Sequence, residues 1–285
     1  MTDIRSLLER GPTISFEFFP PKTPEMEEQL RRALDELAPL QPSFVSVTYG
    51  ALGSTRDRTR DLVIDIDNRY DFPAMAHLTC VGHTKAEILE ILTQYRAAGV
   101  TNILALAGDP PADAPPPGGD FTYALELVEL IRTSGDFCVG VAAHPELHPR
   151  SGGDRDADRR HLAAKLERSD FAVTQFFFDA DDYLRMIDEL ATLGCTKPVL
   201  PGVMPIINVA GARRMAAMNH AIIPDELNAR LDAVEGDPEA VRALGVEVAT
   251  SLCERLIREH APGLHLYSLN RSQTPTEILK NLGLA

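Results

Sequence analysis

The sequence predicts an α/β protein built as a (β/α)8 barrel, the TIM-barrel architecture, in a single domain over residues 1–285. Three observations predict this class. Segments of strand-like composition alternate with helical segments along the whole chain. Eight such strands occur, the number that closes a barrel of this type. No Gly-x-Gly-x-x-Gly motif follows any of them, which disfavours an open doubly wound sheet, the main alternative.

The predicted strands are short runs of β-branched, aromatic and other apolar residues. The first alternates apolar and polar side chains and ends at Pro20 and Pro21, because proline lacks the N–H that a strand ladder needs. The sixth has the densest apolar run of the chain. In order, the strands span residues 13–19, 44–48, 74–79, 102–107, 137–142, 171–178, 198–203 and 264–269.

Helices are predicted between the strands, where apolar residues recur three and four positions apart. Gly99 suits the position after a helix end, and Pro238 suits the first turn of a long helix after the N-cap residue Asp237. Extra helices precede the last strand. The predicted helices span residues 25–37, 55–68, 85–98, 123–133, 157–168, 181–193, 210–220, 225–234, 238–260 and 276–282.

Charge and composition restrict the partners. The 28 basic and 42 acidic residues give a formal net charge of −14, which disfavours nucleic acid or an anionic membrane as a partner. No apolar run approaches the ~20 residues of a membrane span, and the first ten residues lack the apolar core of a signal peptide. The four cysteines are scattered without a Cys-x-x-Cys pair, which favours buried thiols in a reducing cytoplasm over disulfides or zinc.

One carboxylate lies in the aromatic end of the first strand. Glu17 is surrounded in sequence by Phe16, Phe18 and Phe19. Burial there would disfavour the ionised form of the carboxyl group, which is the direction that suits a general acid. The alternative is an ordinary glutamate on the polar face of an edge strand.

Polar residues also occur near the ends of the other strands, where a barrel of this type carries its active site. Some have structural explanations, since Thr48 is a good strand residue, His77 could be a core histidine and Asp109 could form a turn. Gln175 beside three phenylalanines needs hydrogen-bond partners if it is buried, and a ligand could provide them. The Pro- and Gly-rich segment 109–119 is interpreted as an active-site loop. The full set is Glu17, Thr48, His77, Asp109, His144, Gln175, Asn208 and Arg271.

Two histidines four residues apart, His144 and His148, superficially resemble the ligand pair of a zinc-binding helix. Pro145 and Pro149 make a continuous helix there improbable, and the glutamate between the histidines is not in the metalloprotease position. We therefore predict no metal site.

Seven segments form a pattern that covers essentially the whole chain. They are SFEFFPPKT (residues 15–23), SVTYGA (46–51), HLTC (77–80), GDPP (108–111), TQFFFD (174–179), PGVMP (201–205) and YSLNR (267–271). In order and spacing they resemble the motifs of the methylenetetrahydrofolate reductase family. The first and fifth are long enough to be specific.

The resemblance implies a barrel that binds flavin and delivers a nicotinamide hydride to the methylene carbon of 5,10-methylenetetrahydrofolate. Glu17 resembles the acid that protonates N10 and opens the five-membered ring to a 5-iminium cation. Asp109 resembles the aspartate that contacts the pterin and favours that cation, and Gln175 the amide that orders the pterin. Phe176 and Arg271 match further positions near the substrate. The family's flavin-contacting positions are matched by Thr48, His77, His148, Asp158 and Lys165.

Four positions depart from the family pattern. An arginine before Gly-Asp is Ala107, a tyrosine is His144, a basic residue of the flavin-binding helix is Ala164, and an aromatic residue is Val209. A flavin diphosphate in so acidic a protein needs local cations. The departures therefore predict weak or absent FAD binding, with NADH or NADPH passing hydride directly to the folate. The alternative is that the cations left near that helix compensate, and these are Arg159, Arg160 and Lys165.

Other functions remain open at the level of sequence. One is a conventional FAD-dependent ping-pong reductase of the same substrate, and another is a non-catalytic barrel that binds folate or a nucleotide. Glu17, Asp109 and Gln175 favour the enzyme, because binding alone does not require a buried acid. A proline-oxidising flavin barrel is disfavoured by the TQFFFD and SFEFFPP segments.

Overall fold

The computed structural model describes residues 2–49, 56–108 and 118–285. Their strands are β1 (Thr13–Phe18), β2 (Phe44–Val47), β3 (Ala74–Thr79), β4 (Asn102–Leu106), β5 (Cys138–Ala143), β6 (Phe171–Thr174), β7 (Val199–Leu200), β8 (Gly202–Val203) and β9 (Gly263–Tyr267). All pair in parallel in one sheet, in the order β7-β6-β5-β4-β3-β2-β1-β9-β8. The predicted α/β barrel is confirmed.

The barrel closes through a strand that a proline divides. β7 pairs with β6, β8 pairs with β9, and only Pro201 separates β7 from β8. Proline has no N–H for a ladder, so the chain changes partner at this residue. The carbonyl of Pro201 accepts the backbone N–H of His265 at 3.0 Å. Eight strand positions are thus confirmed, but the single strand predicted over residues 198–203 is wrong, because it is two strands of two residues each.

The described residues contain helices before β1, on the connections between the strands and after β9. They are α1 (Ile4–Arg10), α2 (Pro24–Leu37), α3 (Arg56–Arg69), α4 (Lys85–Ala98), α5 (Ala124–Ser134), α6 (Arg155–Arg168), α7 (Ala180–Thr192), α8 (Val209–Asn219), α9 (Asp225–Val234), α10 (Pro238–Arg258) and α11 (Gln273–Asn281). Gly99 follows α4 with a left-handed φ of 90°, as predicted. Asp237 caps α10 by accepting two backbone N–H groups.

Helix α1, which sequence patterning did not reveal, covers the amino-terminal end of the barrel. Its first backbone N–H, on Ile4, donates to Asn102 Oδ1 at 3.0 Å, at the start of β4. The Ile4 side chain is fully buried among apolar residues inside the barrel, including Phe44 and Phe171. Burying such a side chain contributes roughly 1.5–3 kcal/mol. This plug leaves the carboxyl-terminal mouth as the end where a ligand can enter.

Strand β6 is shorter than the predicted 171–178. It ends at Thr174, because its neighbour β7 stops at Pro201 and offers no further backbone partners. The phenylalanines beyond it leave the sheet, and Phe177 stacks on Tyr183 of α7 at 5.8 Å between ring centroids. Gln175 therefore lies just past the strand end, at the mouth.

The extra helices predicted before the last strand are present and share their own small core. α8, α9 and α10 pack around Ile206, Leu231 and Leu244. Val209, at the first position of α8, is buried in this core. No helix in the three described ranges is long and apolar enough to cross a membrane.

Candidate active site

The carboxylate of Glu17 lies between two imidazoles at the mouth of the barrel. Glu17 Oε2 is 3.4 Å from His77 Nε2 on β3 and 3.4 Å from His265 Nε2 on β9. Both histidines are buried, whereas 14% of the Glu17 side chain is exposed. Alternation along the strands turns all three side chains toward the interior. The site thus combines one accessible acid with two imidazoles.

His265 connects Glu17 to a serine deeper in the barrel. Its Nδ1 lies 2.8 Å from Ser15 Oγ, which in turn lies 3.2 Å from the carbonyl oxygen of Leu264. If Glu17 is ionised, His265 donates to it from Nε2 and accepts the Ser15 hydroxyl at Nδ1. If Glu17 is protonated, it donates to Nε2, Nδ1–H donates to Ser15, and the Ser15 hydroxyl turns to Leu264. The network accommodates both protonation states, as a group that gives and recovers a proton requires.

His77 is the neutral neighbour of the acid. Burial lowers the pKa of His77 to about 4, and Glu17 opposes that shift. The 3.4 Å approach to Glu17 lacks hydrogen-bond geometry, so buried His77 Nε2 has no hydrogen-bond partner among residues 2–49, 56–108 and 118–285. A buried ring nitrogen without a partner is suited to contacting a ligand.

The turn after β9 holds the end of β1 beside the acid. The carbonyl oxygen of Glu17 accepts the hydroxyl of Ser268 at 2.6 Å and its backbone N–H at 3.1 Å. Asn270 pairs with the backbone of Phe19, accepting its N–H at 2.9 Å and donating to its carbonyl at 2.8 Å. Leu269 and Asn270 have left-handed φ values of 52° and 55°, a strained backbone that surrounding contacts must maintain. The side chain of Asn270 thus replaces a strand neighbour where β9 turns away.

Gln175 lies across the mouth from this acid cluster. Its backbone N–H still donates to the carbonyl of Ala143, at 2.8 Å. Its side-chain Nε2 donates to Asn219 Oδ1 of α8 at 2.8 Å, and its Oε1 accepts the N–H of Phe176 at 3.0 Å. The Phe176 ring is buried and meets Tyr267 edge to face. The amide is held by the protein rather than free.

Three of the predicted flavin-contacting residues lie together on the loop after β5 and on α6: His148, Asp158 and Lys165. Their polar groups form hydrogen bonds within the protein. Asp158 accepts the backbone N–H of His148 at 2.9 Å and Arg159 Nη1 at 2.7 Å. Arg159 also donates to Glu189 at 2.6 Å and to two backbone carbonyls of the loop. Only 3% of the Arg159 side chain is exposed. The guanidinium therefore already makes four hydrogen bonds within the protein.

Lys165 and His144 complete this group of residues on the loop after β5 and on α6, which we call the β5–α6 wall. Lys165 Nζ donates to the carbonyl of Ala142 at 2.8 Å, and burial lowers the pKa of Lys165 to about 8, a shift that Asp158 opposes. Burial also lowers the pKa of His144 to about 3, reinforced by the nearby His148 and Lys165. The rings of His144 and His148 meet edge to face, 4.6 Å apart. A neutral imidazole therefore occupies the position where the sequence resemblance implies a tyrosine.

The structure also describes three more of the residues singled out in the sequence, which are Thr48, Ala164 and Arg271. Thr48 is half-buried and its N–H donates to the carbonyl of Phe18 at 2.9 Å, beside the acid. Arg271 is exposed just after the turn that follows β9. Ala164 is exposed on α6. Asp109 lies outside the described residues.

Metal-ligating side chains do not cluster in the described ranges. No group of three or more His, Cys, Asp or Glu side chains there could hold a metal ion. The prolines flanking the two histidines act as predicted: a short 3-10 helix, Pro149–Ser151, begins right after His148, and Leu147 has a left-handed φ of 91°. All four cysteines are free thiols: Cys80, Cys138, Cys195 and Cys253.

Sequence reasoning missed the residues that support the acid. It looked at strand ends, whereas Ser15 and His265 lie within strands and Ser268 and Asn270 lie in a turn. The signal was present, since His265 is a polar residue at an inward position of an apolar strand. Asn219 gave no such signal, because it follows an ordinary helical pattern.

Fold and site together define an α/β-barrel protein with an acid–imidazole cluster at the carboxyl ends of its strands, the usual location of catalysis in this architecture. A family model described as methylenetetrahydrofolate reductase matches residues 3–283. The chain belongs to the methylenetetrahydrofolate reductase family, which comprises oxidoreductases of folate one-carbon metabolism.

Similar proteins are named accordingly. The chain is 38% identical over 272 residues to the 5,10-methylenetetrahydrofolate reductase of Escherichia coli, covering 95% of this chain and 90% of that protein. It is 37% identical over 272 residues to the enzyme of the same name from Pectobacterium carotovorum, with the same coverage. It is 38% identical to methylenetetrahydrofolate reductase (NADH) 1 of Arabidopsis thaliana, covering 99% of this chain and 50% of that longer protein.

Among solved structures, the fold is similar to that of an uncharacterized Clostridium thermocellum protein described as binding two copies of 5-methyl-5,6,7,8-tetrahydrofolic acid. The TM-score is 0.65, with 14% sequence identity and coverage of 97% of this chain and 95% of that one. At this identity the likeness concerns the fold alone.

Proposed function

We propose that this chain reduces 5,10-methylenetetrahydrofolate to 5-methyltetrahydrofolate with hydride from NADH or NADPH. The observation that carries the proposal is the partly exposed Glu17 carboxyl group, backed by His265 and Ser15 in a network that suits either protonation state. Binding alone would not require such an arrangement. Family membership supplies the substrate class, and the plant relative named for NADH supports a nicotinamide donor.

In the proposed reaction Glu17 protonates N10 of the folate, and the bond from N10 to the methylene carbon breaks. The nitrogen N5 and the methylene carbon are left as an iminium cation. Hydride from C4 of the dihydronicotinamide adds to that carbon, which becomes the methyl group while the nicotinamide is oxidised. Glu17 then regains a proton, and His265 and Ser15 reorganise their hydrogen bonds as its charge changes. Gln175 and the turn around Asn270 orient substrate and acid, respectively.

The residues of the β5–α6 wall do not fit a flavin diphosphate. Arg159 already serves Asp158, Glu189 and backbone carbonyls, and Lys165 is desolvated against the carbonyl of Ala142. Further cations are missing at Ala107 and Ala164. A charge-assisted hydrogen bond contributes ~1.5–3 kcal/mol, so two missing ones would weaken binding by about 10²–10⁴-fold. This supports hydride transfer directly from the nicotinamide, in a ternary complex with the folate.

The test is to purify the protein, record its visible spectrum and measure steady-state kinetics without added flavin. We expect a colourless, active protein with sequential kinetics. Near-stoichiometric FAD, or ping-pong kinetics that require added FAD, would establish the conventional flavin reductase instead. Folate binding without turnover by either nicotinamide would favour the non-catalytic barrel.

A matched variant sharpens this test. Ala107→Arg combined with Ala164→Arg restores cations at the two departing positions, and we expect its FAD affinity to rise by about 10²–10⁴-fold. If the parent and the double variant bind FAD equally well, missing cations are not what limits flavin binding. Substitution of exposed Arg168 by alanine, in the last turn of the same helix, should leave FAD affinity unchanged.

A further inference from the structure

The side-chain amide of Gln175 is one member of a relay that starts in helix α8. The carbonyl oxygen of Met215 accepts Asn219 Nδ2 at 2.9 Å, and Asn219 Oδ1 accepts Gln175 Nε2 at 2.8 Å. Gln175 Oε1 in turn accepts the backbone N–H of Phe176 at 3.0 Å. Two side-chain amides thus link a backbone acceptor to a backbone donor.

This relay has one consistent orientation. The carbonyl of Met215 can only accept, so the nitrogen of the Asn219 amide must face it and the oxygen must face Gln175. The N–H of Phe176 can only donate, so Gln175 must turn its oxygen that way. Flipping either amide would place two donors or two acceptors against each other. The ambiguity that usually attends amide side chains is removed by the network.

The relay leaves Gln175 with unused capacity of known kind. A glutamine amide has two N–H donors and two lone pairs on its oxygen, and the relay takes one of each. One donor and one acceptor remain at the barrel mouth. A cyclic amide or amidine edge, such as the pyrimidinone ring of a reduced pterin, offers the complementary pair.

Helix α8 is itself held in place over the mouth. It begins at Val209, whose side chain is buried in the small core of α8, α9 and α10. Just beyond its end, the N–H of Ile222 donates to Glu146 Oε1 in the loop after β5, at 2.7 Å. With both ends fixed, Asn219 is presented to Gln175 in a constant position.

We propose that Asn219 is a positioning residue that fixes the orientation of the Gln175 amide for the pterin ring of the folate. This inference rests on the proposed function, since it assumes that the Gln175 amide hydrogen-bonds to the pterin ring of the substrate. Asn219 acts through Gln175 and has no required contact with the substrate. Asn219 lies outside the seven sequence motifs, so those motifs do not predict this role.

The test compares two variants at the same position. Asn219→Leu removes both polar atoms and frees Gln175 to turn, so we expect folate affinity and KM to weaken by about 3- to 10-fold, with NADH affinity unchanged and kcat little altered. Asn219→Asp keeps an acceptor facing Gln175 but sets its second oxygen against the carbonyl of Met215, so it should cost helix stability while weakening folate binding less than Asn219→Leu does. Asp is unfavourable at a helix carboxyl terminus, so this variant should have the lower Tm of the two.

The opposite pattern would overturn the proposal. If Asn219→Asp impairs folate binding as much as Asn219→Leu does, the role of Asn219 is only to stabilise the carboxyl-terminal end of α8. Parent-like folate affinity in Asn219→Leu would exclude the relay altogether. In the Gln175→Leu background, Asn219→Leu should have no further effect on folate affinity. Met218→Leu, one residue earlier and exposed, is the control. A parent protein that neither binds nor reduces folate would refute the proposed function itself, not this relay.

Discussion

The two sides of the barrel mouth handle buried polar groups in different ways. On the acid side, formed by Glu17, His77 and His265, the carboxyl group is partly exposed and one buried ring nitrogen has no partner in the described chain. On the β5–α6 side, Arg159 and Asp158 are closed on each other and on backbone groups. Spare hydrogen-bonding capacity marks the acid side as the place for a reacting ligand. The many internal hydrogen bonds on the β5–α6 side indicate a structural role there.

The contrast explains why the two sides differ in their capacity to bind a ligand. A charge that already has internal partners is costly to redirect to a ligand, because its former partners would be left buried and unpaired. On the β5–α6 side, Arg159 uses such internal partners to stabilise the loop after β5. On the acid side, removal of Glu17 would take away the only carboxylate between the two imidazoles.

The largest expected effect tests the acid side. Glu17→Gln should lower kcat for folate reduction by about 10²–10⁴-fold, because it removes the proton donor. The fold should remain intact, as judged by circular dichroism and Tm. Glu25→Gln, an exposed change on α2, is the control. Activity within a few fold of the parent would eliminate Glu17 as the acid.

The next effect tests the β5–α6 side and should fall on stability instead. Arg159→Leu leaves the buried Asp158 without its cation and Glu189 with Arg155 alone, and we expect the free energy of unfolding to fall by about 3 kcal/mol. Denaturant titration measures this change. Arg160→Leu, exposed on the same helix, should change stability by less than about 0.5 kcal/mol. A large loss of kcat in folded Arg159→Leu protein, without loss of stability, would break the comparison.

A smaller effect concerns substrate binding. Gln175→Ala should weaken folate binding by roughly 5- to 150-fold, because a partly buried pair of hydrogen-bonding groups is lost, and should weaken nicotinamide binding less. Isothermal titration with each ligand separately measures both. Equal losses for the two ligands would show that Gln175 maintains the shape of the barrel mouth and does not bind the pterin specifically.

The smallest expected effect is on the pH dependence of stability. Burial raises the pKa of Glu146 to about 7 from its ordinary value of 4.5, and the nearby Asp182 and Asp179 add to that shift. The folded state therefore holds a proton that the unfolded state releases between pH 4.5 and 7. Stability should fall as pH rises through this window.

Glu146→Gln is the matched variant, since it retains the oxygen that accepts the N–H of Ile222. At pH 8 its Tm should exceed that of the parent by about 1–3 °C, and the two should converge near pH 4.5. Thermal melts across this range decide the matter. Parallel Tm profiles for the two proteins would mean that Glu146 titrates normally.

Much of the fold was predictable from sequence, because local patterns determine it. The strand over residues 74–79 and the helices over 85–98 and 225–234 have the predicted bounds. Errors arose where tertiary pairing decides the outcome. Pro201 reads as the middle of a strand until its two neighbours are known, and residues 175–178 are apolar enough for a strand but lack a partner. Helix α1 has one buried apolar side chain, Ile4, which is too little for a periodic signal.

The site was predictable in its acid and less so in its support. Glu17 is conspicuous as a charge within an aromatic strand, whereas His265 becomes part of the site only because β1 and β9 are neighbours. The engagement of Arg159 was also invisible, since its partners Glu189 and the carbonyl of Pro145 come from other elements. Spatial neighbours of this kind cannot be read from one sequence.

The most direct test of hydride transfer without flavin follows the hydrogen itself. The protein would be supplied with methylenetetrahydrofolate and NADH deuterated at both C4 positions, in ordinary water with no added flavin, and the methyl product analysed by mass spectrometry. Direct transfer predicts one deuterium in every methyl group. Methyl groups carrying hydrogen from water would contradict it, because the N5–H of a reduced flavin exchanges with solvent before it is passed on.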